Sequence, residues 1–137
     1  MIDSLIFLID DKKYSINMKC VRQVIETDTL NKTQSSSIVN NDNIEFIATW
    51  SNRAVNILKL DKALNLKSKK DNSQSIFIEY DKHIVAFMVQ DIDNIIYLTE
   101  DNISETSSNE ETIINGAILY NNEVIVRLNE KYIASMG

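Results

Sequence analysis

The sequence predicts an all-β fold built from small barrels, and three observations predict it. Period-2 alternation dominates the 137 residues, the pattern of strands that bury one face. Helical spacing is scarce and confined to short stretches. The first half of the chain also repeats in the second: Ser4 to Ile25 lies without a gap over Ser75 to Ile96, about 71 residues further on. A weaker match lays Phe46 to Leu64 over Ile114 to Tyr132. Doubling of this kind implies two related units with a groove between them.

Taken in order, Leu5 to Ile9 is an apolar run that meets a charged turn at Asp10 to Lys13. Tyr14, Ile16 and Met18 then alternate with Ser15, Asn17 and Lys19, which makes a second strand. Cys20 to Ile25 has apolar residues spaced for a helical turn, but its second copy runs straight into the strand-like Ile95 to Leu98, so a strand with a bulge is expected. Asn31 to Asn43, Lys67 to Ser75 and Asn102 to Thr112 are rich in Ser, Asn and charge without period, and read as surface loops. Lys59 to Leu66 is expected to make a turn or two of helix capped by Asp61. Ile76 to Tyr80 and Ile84 to Val89 flank a turn at Asp81 to His83. Both runs are apolar on both faces, which suits strands wrapped into a barrel. Val124 to Arg127 alternates after a turn at Asn121-Asn122, and Asn129 to Ser135 closes the chain with a short helix.

Composition narrows the function. The formal net charge of −6 argues against nucleic acid, whose phosphates require clustered Lys and Arg. Lys67, Lys69 and Lys70, beside Asp71, read as a solvated linker. Only two glycines and no proline occur, so glycine-rich phosphate loops are excluded and turns fall to Asn, Asp and Ser. The lone Cys20 has no disulfide partner in the chain, which fits a reducing cytosol. No apolar run approaches the ~18 residues of a membrane span, and no leader pattern opens the chain.

Reactive groups do not converge in the pattern. His83 stands where Lys12 stands in the first copy, so it is expected on an exposed turn rather than in catalysis or on a metal. Cys20 stands in the place of Asp91 and reads as an inert thiol. Asp91 and Asp93 are expected on one side of a strand; two ligands without a Gly-turn loop are too few for calcium. They and Glu110-Glu111 read as solvated charge. Trp50, in an apolar run, reads as a packing residue before a partner anchor. No cofactor or metal is expected, and binding is the default role; a small ligand-binding or hydrolytic barrel using Asp91, Asp93 and His83 is the competing class.

The doubled pattern resembles the CheW-like domain of bacterial chemotaxis coupling proteins. The stretch IVAFMVQDIDNIIYLTEDNI from Ile84 to Ile103 is similar to the family's second-subdomain strand pair. YSINMKCVRQVIE from Tyr14 to Glu26 is similar to its first-subdomain counterpart, and Ile114-Asn115-Gly116 with Ile118 to Leu128 resembles its closing strands. The resemblance implies one domain over 1–137, made of two intertwined five-stranded SH3-like barrels and a short C-terminal helix. The first subdomain would lie mainly over 14–66, the second mainly over 75–128, with terminal segments swapped. It implies no catalysis, and two partners: the regulatory domain of a CheA-type histidine kinase and the cytoplasmic hairpin tip of a chemoreceptor. A cytoplasmic protein recruited to membrane-associated receptor arrays follows. Val21, Gln23 and Val24 would serve a partner face of the first barrel, with Trp50, Ser51 and Arg53 at the groove. The stretch FIATWSNRAVNILKL departs from the family pattern: Phe46 and Asn52 replace glycines, Ser51 an arginine, Asn56 a proline and Lys59 an aspartate. Arg53 is then a displaced guanidinium, and a one-partner decoy is the alternative role.

Overall fold

The computed structural model describes residues 2–35, 42–67, 71–105 and 112–137. Twelve strands and one short helix follow in order: β1 (Ile2–Ile9), β2 (Lys12–Asn17), β3 (Val21–Glu26), β4 (Asn31–Ser35), β5 (Ile44–Trp50), β6 (Arg53–Leu58), β7 (Gln74–Tyr80), β8 (His83–Val89), β9 (Asp91–Leu98), β10 (Ile103–Glu105), β11 (Ile114–Tyr120), β12 (Glu123–Leu128) and α1 (Glu130–Ser135). They form two sheets of six, ordered β3-β7-β8-β6-β5-β4 (sheet I) and β9-β1-β2-β12-β11-β10 (sheet II). The orders are the same when the second copy is substituted for the first. The leading hairpin of each copy, β1-β2 or β7-β8, sits in the sheet of the other copy, which is the intertwining.

Four tight hairpin turns make this possible without glycine. Asp10-Asp11, Ser51-Asn52, Asp81-Lys82 and Asn121-Asn122 all have φ between 48 and 66°, the left-handed pair that a two-residue hairpin needs. Asn and Asp, whose short polar side chains tolerate that region, hold six of the eight positions. Ordering the chain by these turns corrects the weaker sequence match. Ser51-Asn52 coincides with Asn121-Asn122, so Phe46 lies over Gly116, not over Ile114. A slip of two preserves every inward and outward face, which is why the pattern still matched.

Strands apolar on both faces have a specific cause. Phe77 of β7 and Ala86 and Met88 of β8 line a core inside sheet I with Phe46, Ala48, Val55 and Ile57. Ile6 of β1 lines a core inside sheet II with Ile96, Leu98, Ile118 and Ile125. The alternate residues, Leu5, Phe7 and Ile9 of β1 and Ile76, Ile78, Val85, Phe87 and Val89 of β7-β8, turn to a third and larger core shared by both sheets. Phe7 and Phe87 meet there with ring centroids 5.5 Å apart.

Local expectations fare unevenly. Cys20 ends a 3₁₀ turn over Met18–Cys20, and the strand that follows carries a register shift between Val21 and Gln23, as the bulge required. α1 has Asn129 as its N-cap, accepting from the Tyr132 N–H. Leu60 to Leu66 folds into turns, with the Leu66 N–H on the Asp61 carbonyl at 2.8 Å. Asp61 does not cap them: its side chain is buried and its Oδ1 has no hydrogen-bond partner. Two predicted loops begin as strands. Asn31–Ser35 pairs with β5 and Ile103–Glu105 with β11, because a free strand edge offers backbone partners to polar residues whatever their pattern. Residues 36–41, 68–70 and 106–111, among them Lys69, Lys70, Glu110 and Glu111, lie outside the described residues.

Candidate functional site

Each sheet curls on itself, and a side-chain strap shows the closure in sheet I. Trp50 on β5 stacks on Phe77 of β7, centroids 5.0 Å apart and planes at 23°. Its Nε1–H donates to Gln23 Oε1 on β3 at 3.0 Å. Three strands separate β3 from β5 along the sheet, so only a closed barrel brings the two side chains together. Trp50 is thus a packing residue that also ties the barrel end shut.

Of the six residues expected to face a partner, four share this end. Gln23 and Trp50 touch, Arg53 opposes Trp50 in register, and Ser51 occupies the turn between them. Arg53 is exposed, with no hydrogen bond or ion pair among the described residues. Val21 and Val24 do not join them. The bulge at Arg22 breaks the alternation, and both valines are half-buried against the shared core. The Arg22 guanidinium, freed by the same bulge, reaches the Lys19 carbonyl at 3.0 Å and Glu79 at 3.5 Å.

The competing catalytic set is not assembled. Asp93 pairs with Lys13 at 3.6 Å, Asp91 Oδ1 accepts from the Ile92 N–H, and His83 Nε2 lies 3.0 Å from the Gly137 carbonyl oxygen. Asp93 is itself the extra residue of a bulge between β1 and β9, so it and Asp91 do not follow the simple same-side rule. Burial pushes the Cys20 thiol up, with Glu130 adding to the effect, so the reactive thiolate is disfavoured. Among the described residues no three His, Cys, Asp or Glu side chains gather as a metal site, and no helix is long and apolar enough to cross a membrane.

Sequence reasoning missed an exposed apolar face on sheet II. Val124 is 70% exposed, Tyr97 64% and Leu119 61%, with Ile95 and Ile114 also open. Leu119 and Val124 are directly paired across the β11-β12 hairpin. With the turns superposed, their counterparts on sheet I are Thr49 and Ala54, so one half carries an apolar outer face that the other lacks. Scattered exposed apolar residues are ordinary, but a paired set on one hairpin is a candidate interaction surface.

The geometry defines a class: a double-barrel scaffold in which both halves share a core. A model of the CheW-like domain matches residues 3–136, and the chain belongs to that family. The fold is also similar to that of the scaffolding protein TtCheW from Thermoanaerobacter tengcongensis, with a TM-score of 0.78 at 16% sequence identity, over 92% of this chain and 87% of that one. No curated protein sequence matches it.

Proposed function

We propose that the chain is a cytoplasmic chemotaxis adaptor that joins chemoreceptor hairpin tips to the regulatory domain of a CheA-type kinase. The observation that carries this reading is the exposed Leu119–Val124 pair on a rigid hairpin of a CheW-like fold. The hairpin offers apolar area for a partner at little entropic cost, because both strands are already ordered. Titrating the purified chain against a kinase regulatory domain and a receptor-tip fragment tests it. Binding to both is expected, and no binding to either at high micromolar concentration would sink the idea. Val124→Asp should cost the kinase complex about 2 kcal/mol or more while leaving the thermal midpoint of the free chain unchanged, since that side chain is solvent-exposed.

The first-barrel residues support the receptor half of the proposal. Gln23, Trp50, Ser51 and Arg53 lie together at one barrel end, and Val21 and Val24 pack against the core shared by both sheets. Ser51 favours a second reading, a component that binds the kinase but not the receptor. It stands where the family pattern has an arginine, and a hydroxyl cannot make a bidentate carboxylate contact. Ser51→Arg with Asn52→Gly should then gain receptor binding; receptor binding by the unaltered chain would refute the one-partner reading.

A further inference from the structure

The two barrel ends are built from equivalent positions and differ in what fills them. At the first, Trp50 stacks on Phe77 and bonds Gln23. At the second, superposing turns and bulges puts Tyr120 at the position of Trp50, Ile6 at that of Phe77 and Asn94 at that of Gln23. The smaller pair leaves a cavity of about 200 Å³. Its floor is Ile6, Ile96 and Ile125, its wall Tyr120, and its rim Asn94, Asp93 and Glu123 with Lys13. The rim charge is opposite to that of the first end, where Arg22 and Arg53 occupy the positions of Asp93 and Glu123.

We infer that this cavity receives an arginine side chain projected by a docked protein partner. The inference rests on the adaptor reading and names the chemistry of one contact in it. A planar N–H-bearing group is what the first barrel supplies from within, and the second lacks. Apart from Lys13, the rim groups that can pair with it are acceptors: two carboxylates and the amide carbonyls of Asn94 and Asn121. Guanidinium is planar, carries five donors and no acceptor, and stacks on aromatic faces. Its aliphatic stem suits the isoleucine floor. Lys13 bridges Glu123 at 2.8 Å and Asp93 at 3.6 Å, which leaves one carboxylate charge uncompensated for the incoming cation. Leu119 and Val124 lie one step from Tyr120 and Glu123 along the same hairpin, so a partner seated on the apolar face has this cavity within reach.

Amide NMR of the whole chain with N-acetyl-arginine amide, its lysine analogue and the neutral norleucine analogue tests the pocket without kinase or receptor. Failure here is therefore separable from failure of the adaptor reading. Saturable shifts at Asn94, Tyr120 and Asn121 are expected with arginine, weaker ones with lysine and none with norleucine. Glu123→Gln should weaken arginine about tenfold, the loss of one charge-assisted hydrogen bond. Tyr120→Trp, which installs the first barrel's own plug, should abolish the response in a folded protein. No saturable shift, an equal response to norleucine, or an arginine response unchanged in Glu123→Gln would overturn the inference.

Discussion

Single residues carry two conflicts between local preference and fold. Lys82 has a φ of 66° in the Asp81-Lys82 turn, a region that costs a residue with a Cβ about 1–2 kcal/mol. It is exposed, so Lys82→Gly relieves that strain without loss of packing. A gain of up to about 1 kcal/mol in urea unfolding is expected after the entropy of the added glycine is deducted. Glu130 is the second case. It is buried at the start of α1, and burial raises its carboxyl above the ordinary 4.5, opposed by hydrogen bonds from the Asn17 and its own N–H and by the charge of Arg127. A raised carboxyl favours the protonated form when folded. Its contribution to stability is therefore fully present below 4.5 and is lost as pH rises through the folded value. Glu130→Gln keeps an acceptor for Asn17, 2.9 Å away, and removes the charge. Its thermal midpoint relative to the natural chain should be higher at pH 8 than at pH 4; a pH-independent difference would contradict the account.

At the scale of elements, bulges and straps decide more than strand propensity does. The β11-β12 pairing shifts register between Ile114 and Gly116, and Gly116 sits at φ 151°, where a Cβ is rarely accommodated. Gly116→Ala should cost about 1–3 kcal/mol, whereas its counterpart Phe46 has an ordinary φ and packs in the first barrel. The Trp50–Gln23 strap invites a double-mutant cycle. Trp50→Phe keeps the ring on Phe77 but loses the N–H, and the coupling with Gln23→Ala should be about 1 kcal/mol. β1, β7 and β8 were legible as apolar runs because both of their faces meet apolar cores, and β2 by the alternation of Tyr14 and Ile16, buried in the shared core, with polar neighbours. β4 and β10 were not, since NKTQS and ISE owe their strand state to neighbours and not to their own pattern. The exposed Leu119 and Val124 were equally hidden: an outward valine and an inward one look alike in a sequence that is apolar on both sides.

For the whole molecule, the shared core means that neither barrel has a stability of its own. Phe87 from sheet I and Phe7 from sheet II pack face to tilted face in it, both fully buried. Phe87→Ala should cost about 3–5 kcal/mol, and it should lower the unfolding of both barrels together. Trp50 fluorescence reports the first barrel and the Tyr120 amide the second; two separate transitions would show the halves to be independent. Sheet I is one uninterrupted stretch, from Val21 to Val89, while sheet II is assembled from both ends of the chain, β2 lying beside β12. During synthesis β1 and β2 therefore leave the ribosome well before β9 and β12, the strands that flank them in the finished sheet. The β1-β2 hairpin waits with two bare edges until β9 and β12 have been made, which leaves it open to mispairing for most of the synthesis of the domain.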